Sequence, residues 1–510
     1  MANPAGLGRE MLEAARRGDA VQLGALLAEE RGLENVCDEW GRTPLFLACE
    51  RGRDAVVRLL LEAGADVNKA RTKHGATPLH LACLEGHEAV VRLLVEAGAD
   101  VNKARTKHGA TPLHLACQKG HDAVVRLLVE DGADVNKART DDGATPLFIA
   151  CQEGHDAVVR LLVEAGADVN KATTDDGTTP LFIACQEGHD AVVRLLVEAG
   201  ADVSKARTDD GTTPLFIACQ EGHDAVVRLL VEAGADVNLA RTNNGATPLF
   251  IACRIGHDAV VRLLVEAGAD VNKARTDIGA TPLFIACRTG HVAVARLLVE
   301  AGADVNKATT DIGATPLFIA CRNGREAVVR LLVEAGADVN KATTNTGATP
   351  LFIACLEGRK AVVRLLVEAG ADVNKARTDI GATPLFIACR NGHDAVVRLL
   401  VEAGADVNKA RTDIGATPLF VACQNGREAV VRLLVEAGAD FGVSAWASLA
   451  MLRFNGHTDV VEALTTPTVW ERRFRLLAWR TSARRCRHDG AFAVSAAAHE
   501  SASSGECTVA

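Results

Sequence analysis

Tyrosine is absent from this chain of 510 residues, and aromatic side chains make up only 4% of it. A surface that stacks nucleic-acid bases needs aromatic faces, and one that tracks phosphates needs surplus positive charge. Here 56 lysines and arginines face 65 acidic residues, a formal net charge of −9, so no nucleic-acid partner is expected. Long apolar runs are missing as well. The recurring stretch AVVRLLVEAG is interrupted by an arginine and a glutamate, which leaves no apolar segment of the roughly 18 residues that a membrane-spanning helix requires. The opening MANPAGLGREMLEAARRGDA has no apolar core of a secretory signal, so a cytoplasmic or nuclear location is expected. With 45 glycines and 14 prolines in a chain that is 48% hydrophobic, collagen-like, mucin-like and wholly disordered readings are also out.

What is present is a period. Of 15 cysteines, twelve recur every 34 residues, from Cys49 and Cys83 through Cys389 to Cys423. A Thr-Pro-Leu triplet keeps the same interval from Thr43 to Thr417. Self-similarity at this length marks a stacked array, in which each unit buries its apolar face on its neighbours. A unit this short could hardly hold a core alone. The expectation is therefore one elongated all-α domain.

Residues 140–173, TDDGATPLFIACQEGHDAVVRLLVEAGADVNKAT, show the unit. Thr145 is placed as a helix N-cap and Pro146 as the first helical residue. A short helix over LFIACQE should break at Gly154. A second should begin near His155–Asp156, with Val158, Leu161, Leu162 and Ala165 as its buried stripe and Val159 and Val163 widening it. Gly166 should end it, and the polar DVNKATTDDG should form a hairpin-like finger.

Thr-Pro-Leu, the Gly-His pair before the second helix and GADVN together resemble the ankyrin repeat over nearly all of residues 10–466. The resemblance implies helix-turn-helix units with short β-hairpin fingers, stacked as a curved solenoid whose concave groove meets protein partners. This chain departs from the family in two ways. Its period is one residue longer than usual, and the histidine of Thr-Pro-Leu-His survives only at His80 and His114, with phenylalanine from Phe46 to Phe420 elsewhere. Residues 1–36 read as an N-terminal capping repeat, 37–440 as twelve repeats, 441–466 as a C-terminal capping repeat, and 467–510 as a disordered tail.

No catalytic constellation is visible. The chain contains no glycine-rich phosphate loop, no GxSxG and no kinase motif set, and its carboxylates recur in every copy rather than forming one asymmetric pair. The periodic cysteines read as small apolar core residues, because neighbouring copies would lie beyond disulfide reach. His80, Cys83 and His87, like His114, Cys117 and His121, have ligand-like spacing. Each histidine already has a place in the repeat, so neither metal nor cofactor is expected.

The copies differ from one another at two places. The finger tips run Lys73-His74, Lys107-His108, Asp141-Asp142, Asp175-Asp176, Asp209-Asp210 and Asn243-Asn244, then pairs ending in Ile278, Ile312, Ile380 and Ile414. The first helix ends in Leu84-Glu85, Gln118-Lys119, and later pairs such as Arg254-Ile255. In arrays of this resemblance both places line the groove, so these residues are the candidate partner contacts; drift after tandem duplication is the alternative. Residues 140–241 hold 18 acids and 7 bases, a field suited to a partner with a basic segment.

The function expected is that of a monomeric, non-catalytic scaffold or adaptor that binds a protein or extended peptide. Two alternatives remain. The first is the substrate-recruiting subunit of a multi-protein enzyme such as a ubiquitin ligase. The second is a membrane tether, since residues 470–487 carry seven arginines and the chain ends Cys507-Thr508-Val509-Ala510, similar to a prenylation signal at Cys507.

Overall fold

The computed structural model describes residues 4–440 and Arg453. The expected C-terminal capping repeat at 441–466 and the tail at 467–510, with its arginines and Cys507, lie outside the described residues. Among the described residues there are 26 α-helices, one short 3-10 turn and no strand.

Local chemistry sets each repeat as the sequence suggests. Thr145 is extended, at φ −92° and ψ 165°, and its hydroxyl accepts a hydrogen bond from the Phe148 N–H at 3.2 Å. Pro146, which has no N–H to satisfy, opens a helix over Pro146–Glu153, and Gly154 ends it at φ +76°. The second helix, Asp156–Glu164, starts with its aspartate at the positive end of the helix dipole. A Schellman turn closes it, with Gly166 N–H donating to the Val163 carbonyl at 3.0 Å and Ala167 N–H to Leu162 at 2.9 Å.

The core of this repeat is Leu147, Ile149, Ala150 and Cys151 from the first helix with Val158, Val159 and Leu162 from the second. Full burial of each leucine or valine contributes about 1.5–3 kcal/mol, so a few such residues per repeat sustain the stack. The stripe is narrower than the spacing suggests. Leu161, Val163 and Ala165 are only half-buried, because they flank the line along which second helices meet.

The chain divides into two compact units, residues 1–320 with 334–337, and residues 321–333 with 338 onward. In the first, a capping pair of helices, Pro4–Arg17 and Ala20–Glu29, precedes the repeats, and Gly18 breaks it at φ +85°. First helices pack on first helices and second on second, as Pro146–Glu153 does on Pro180–Glu187 and Asp156–Glu164 on Asp190–Glu198. The second unit repeats the scheme with Pro350–Leu356, Pro384–Asn391 and Pro418–Gln424 in one row, and Lys360–Glu368 against Asp394–Glu402 in the other.

The fingers are turns rather than paired strands. One backbone bond, such as Arg71 N–H to the Ala76 carbonyl at 2.9 Å, closes each finger, and most later ones add a tight turn bond such as Gly143 N–H to the Arg139 carbonyl at 3.2 Å, which is too few to make a ladder. Fingers are instead tied to one another. Thr106 N–H donates to the His74 carbonyl at 3.0 Å, and Thr174 N–H to Asp142 at 2.9 Å, with the same link in later copies. Below them runs an asparagine ladder. Asn102 Oδ1 accepts from Asp134 N–H at 2.7 Å while its Nδ2 donates to the Gly132 carbonyl at 3.1 Å.

Candidate binding surface

In five of the Ala-Arg-Thr copies, an arginine at the base of the finger joins that finger to the preceding first helix. The guanidinium carbons of Arg207, Arg241, Arg275, Arg377 and Arg411 lie 5.3 to 5.7 Å from the ring centres of Phe182, Phe216, Phe250, Phe352 and Phe386. Such a contact contributes about 0.5–1 kcal/mol where it is partly exposed. The contact gives the phenylalanine of these copies a partner in the next finger. Where histidine is kept, the link is a hydrogen bond instead, from His80 Nε2 to the Ala110 carbonyl and from His114 Nε2 to Ala144, each at 3.2 Å.

The acidic tips are largely engaged with these arginines. Arg139 takes Asp141 in a fork, Nε to Oδ1 at 3.2 Å and a terminal nitrogen to Oδ2 at 2.9 Å, and Asp142 lies 3.4 Å away. His108 reaches the same Asp141 at 2.5 Å. Hydrogen bonding from Arg139, joined by His108, holds the Asp141 carboxyl far below its ordinary range. Arg207 bridges two fingers, pairing with Asp176 at 2.9 Å and Asp209 at 2.6 Å, and Arg241 pairs with Asp210. Burial pushes Asp176 up, but the hydroxyl and amide of Thr178, the Thr173 hydroxyl and the Arg207 charge hold it below the usual value. Asp175 has only the Thr174 hydroxyl, at 3.4 Å.

The downstream tips behave differently. Asn243 is exposed, whereas Asn244 turns its Oδ1 inward to the Ala246 N–H at 2.9 Å. Ile278, Ile312 and Ile380 are half-buried, and the carbonyls of Ile278 and Ile380 accept from Thr310 and Thr412 of the next fingers. Only Ile414, in the last described finger, is well exposed, at 66%.

Upstream, the two Lys-His fingers carry positive charge without a carboxylate between them. Arg71, Lys73, His74, Arg105 and Lys107 share this region, and partial burial together with the charges of Lys107, Lys73, Arg105 and Arg71 pulls His74 down. A cleft of about 610 Å³ opens beside it, lined by Arg105 of the finger and by Glu85, Leu115, Gln118, Lys119 and His121 of the helix pair. The two places that vary between copies, finger and first-helix end, therefore meet in one surface here. A second meeting point lies near Arg254, whose pKa is lowered by burial and by Arg275, Arg241 and Arg288.

Sequence reasoning missed the finger arginines. Their signal was available, since each recurs at a fixed place with an acidic residue two positions on in most copies. The ligand-like histidines do not assemble a metal site. His80 spends Nδ1 on the Thr77 N–H and hydroxyl and Nε2 on Ala110, and His87 and His121 bond to the Glu50 and Leu84 carbonyls. No metal-holding group of histidine, cysteine or acidic residues occurs among the described residues. The twelve periodic cysteines are buried.

Helix pairs stacked in register and joined by turn fingers define, within each unit, a helical repeat array of the kind that presents a binding face. The chain belongs to the ankyrin repeat family. The family model described as ankyrin repeats, three copies, matches residues 11–105, 103–173, 170–241, 238–309, 306–377 and 375–445. No curated protein matches the chain at a significant level. Ankyrin repeats are generally protein–protein interaction modules and typically non-catalytic scaffolds.

Proposed function

We propose that this protein is a non-catalytic adaptor that binds a protein partner, in the cytoplasm or nucleus, along the surface made by the fingers and first-helix ends. The observation that carries the reading is the cleft at Arg105, where a finger and the variable helix-end residues Glu85, Gln118 and Lys119 line one recess. A scaffold needs its varied residues side by side, so that an extended partner can touch several at once. The acid surplus over 140–241 supports attraction of a basic stretch of that partner by the long-range field, even though most tip carboxylates there are paired.

Photo-crosslinking with the full chain tests this. A crosslinker at Gln118 or Asn243 should capture a partner that one at Arg126, exposed on a second helix, does not. Capture through Arg126 alone would reject the surface.

A further inference from the structure

We infer that the two upstream fingers form a docking site for an extended acidic segment of a protein partner, with Arg71 and Arg105 each receiving one carboxylate. The inference rests on the adaptor reading and names the chemistry of one part of its surface.

The other fingers supply the template. Arg139, Arg207, Arg275, Arg377 and Arg411 each pair with an aspartate two residues further on, and Arg241 with Asp210 of the preceding finger. In Arg139, Arg377 and Arg411 both Nε and a terminal nitrogen engage the carboxylate, the fork-on-fork geometry that suits this pair of groups. At Arg71 and Arg105 the residue two positions on is lysine, Lys73 or Lys107, and neither arginine has an ion pair. The Nε of each is buried and without a hydrogen-bond partner. A buried guanidinium nitrogen left unpaired is costly, and a carboxylate from outside would satisfy it as the internal aspartate does at Arg139, Arg275, Arg377 and Arg411, whereas at Arg207 and Arg241 the aspartate takes a terminal nitrogen and Nε stays unpartnered.

Two further observations single out the same fingers. His74 and His108 are the only non-glycine residues with positive φ among the described residues, at 74° and 69°. Such backbone is uncommon for a residue with a β-carbon. The site is also bounded. Asp141 closes on His108 and Arg139 at the next finger, so the unpaired charge ends there, and the adjoining cleft offers room for the side chains between the carboxylates.

Packed helix layers are about 8–10 Å apart, and a polyproline-type strand advances about 3.1 Å per residue. Carboxylates three residues apart therefore match neighbouring fingers. An acidic protein segment is favoured over a polyanion such as RNA because aromatics make up only 4% of the chain, with Trp40 the one exposed on the adjoining finger, and the chain is acidic overall.

The test uses the full chain and a fluorescent peptide of Glu-Pro-Ser repeats, read by anisotropy at low salt. The peptide should bind saturably and weaken as salt rises. Replacing its glutamates by glutamine should weaken it about tenfold or more, as should the double variant K73D/K107D, which installs the internal carboxylates seen in other fingers. The melting temperature of that variant should be unchanged or raised, which separates occupancy from unfolding. Equal affinity of the variant, no saturable binding at millimolar peptide, or tighter binding of an RNA oligonucleotide with the same variant dependence would each overturn the inference. If the partner captured through Gln118 binds K73D/K107D unchanged, this inference falls and the adaptor reading stands; if nothing is captured through Gln118 or Asn243, the reading itself falls.

Discussion

The imidazole of His121 lies directly on the α-carbon of Gly86, 35 positions before it, and its Nε2 hydrogen-bonds to the Leu84 carbonyl at 3.1 Å. A β-carbon on Gly86 would come within 2.6 Å of the ring. The same contact recurs between Gly154 and His189 and between Gly222 and His257, so the Gly-His pair is a joint between repeats as well as a turn within one. Where arginine replaces histidine, as at Arg359 and Arg427, its stem lies on Gly324 or Gly392 in the same way.

Gly86→Ala should therefore destabilise on two counts. Alanine at φ +76° costs about 1–2 kcal/mol, and the overlap with His121 costs about 1–3 kcal/mol more. Chemical denaturation should show the loss, and adding His121→Ala should return the overlap part of it. An unchanged midpoint for Gly86→Ala would contradict the joint.

His80 and His114 should make the array sensitive to acid. Each accepts the N–H of its N-cap threonine on Nδ1, so Nε2 carries the proton donated to the next repeat, and a second proton has no place. Burial pulls both down to about 4. An unfolded histidine titrates near 6.5, so above that pH neither state is charged and the stability is full. As pH falls from about 6.5 toward 4 the unfolded chain takes up protons first, and each histidine loses of order 3 kcal/mol. His80→Phe with His114→Phe, the residue of the other copies, should flatten thermal stability over this window. Equal slopes for the variant and the parent would refute it.

The fold was legible because every device that shapes a repeat is local: Thr145 with Pro146, Gly154, Asp156 and Gly166 act within a few residues of one another. The binding surface was less so. Asp142 and Asp210 hold the same place in their fingers, yet the first lies near Arg139 of its own finger and the second reaches Arg241 in the next. Charge counting cannot separate a paired carboxylate from a free one, and it gave no hint that the unpaired charge would be Arg71 and Arg105. The isoleucine tips misled for a similar reason, since exposure at Ile278 and Ile380 depends on the finger that follows.

Ser204 interrupts the asparagine ladder. Asn170 and Asn238 hold the next repeat through Asp202 N–H and Asp270 N–H, each at 2.8 Å, while Ser204 reaches neither Asp236 N–H nor the Gly234 carbonyl. Ser204→Asn should restore both bonds and add about 0.5–1.5 kcal/mol, a modest gain because the groups are solvated without it. A rise in denaturation midpoint with an unchanged slope is the expected result. A fall would mean that the repeats at this point are spaced too far apart for the ladder.

Thiol labelling should read out the opening of the array repeat by repeat. Cys37 is exposed and should react with a maleimide at once, whereas the twelve periodic cysteines are buried. Burial also pushes thiols such as Cys185, Cys219 and Cys253 well above their ordinary pKa, so almost no thiolate exists to react while the fold is closed. Labelling of these residues must wait for local unfolding, and in a stack with nearest-neighbour coupling the interior repeats open last. Pulse labelling followed by peptide mass spectrometry should find Cys185, Cys219 and Cys253 slowest, with Cys49 faster. Reductant should leave the melting profile unchanged, since the periodic thiols pack rather than pair. Prompt labelling of Cys219 in the native protein would show that its repeat is open, and a large drop in melting temperature on reduction would show that these cysteines had been bonded.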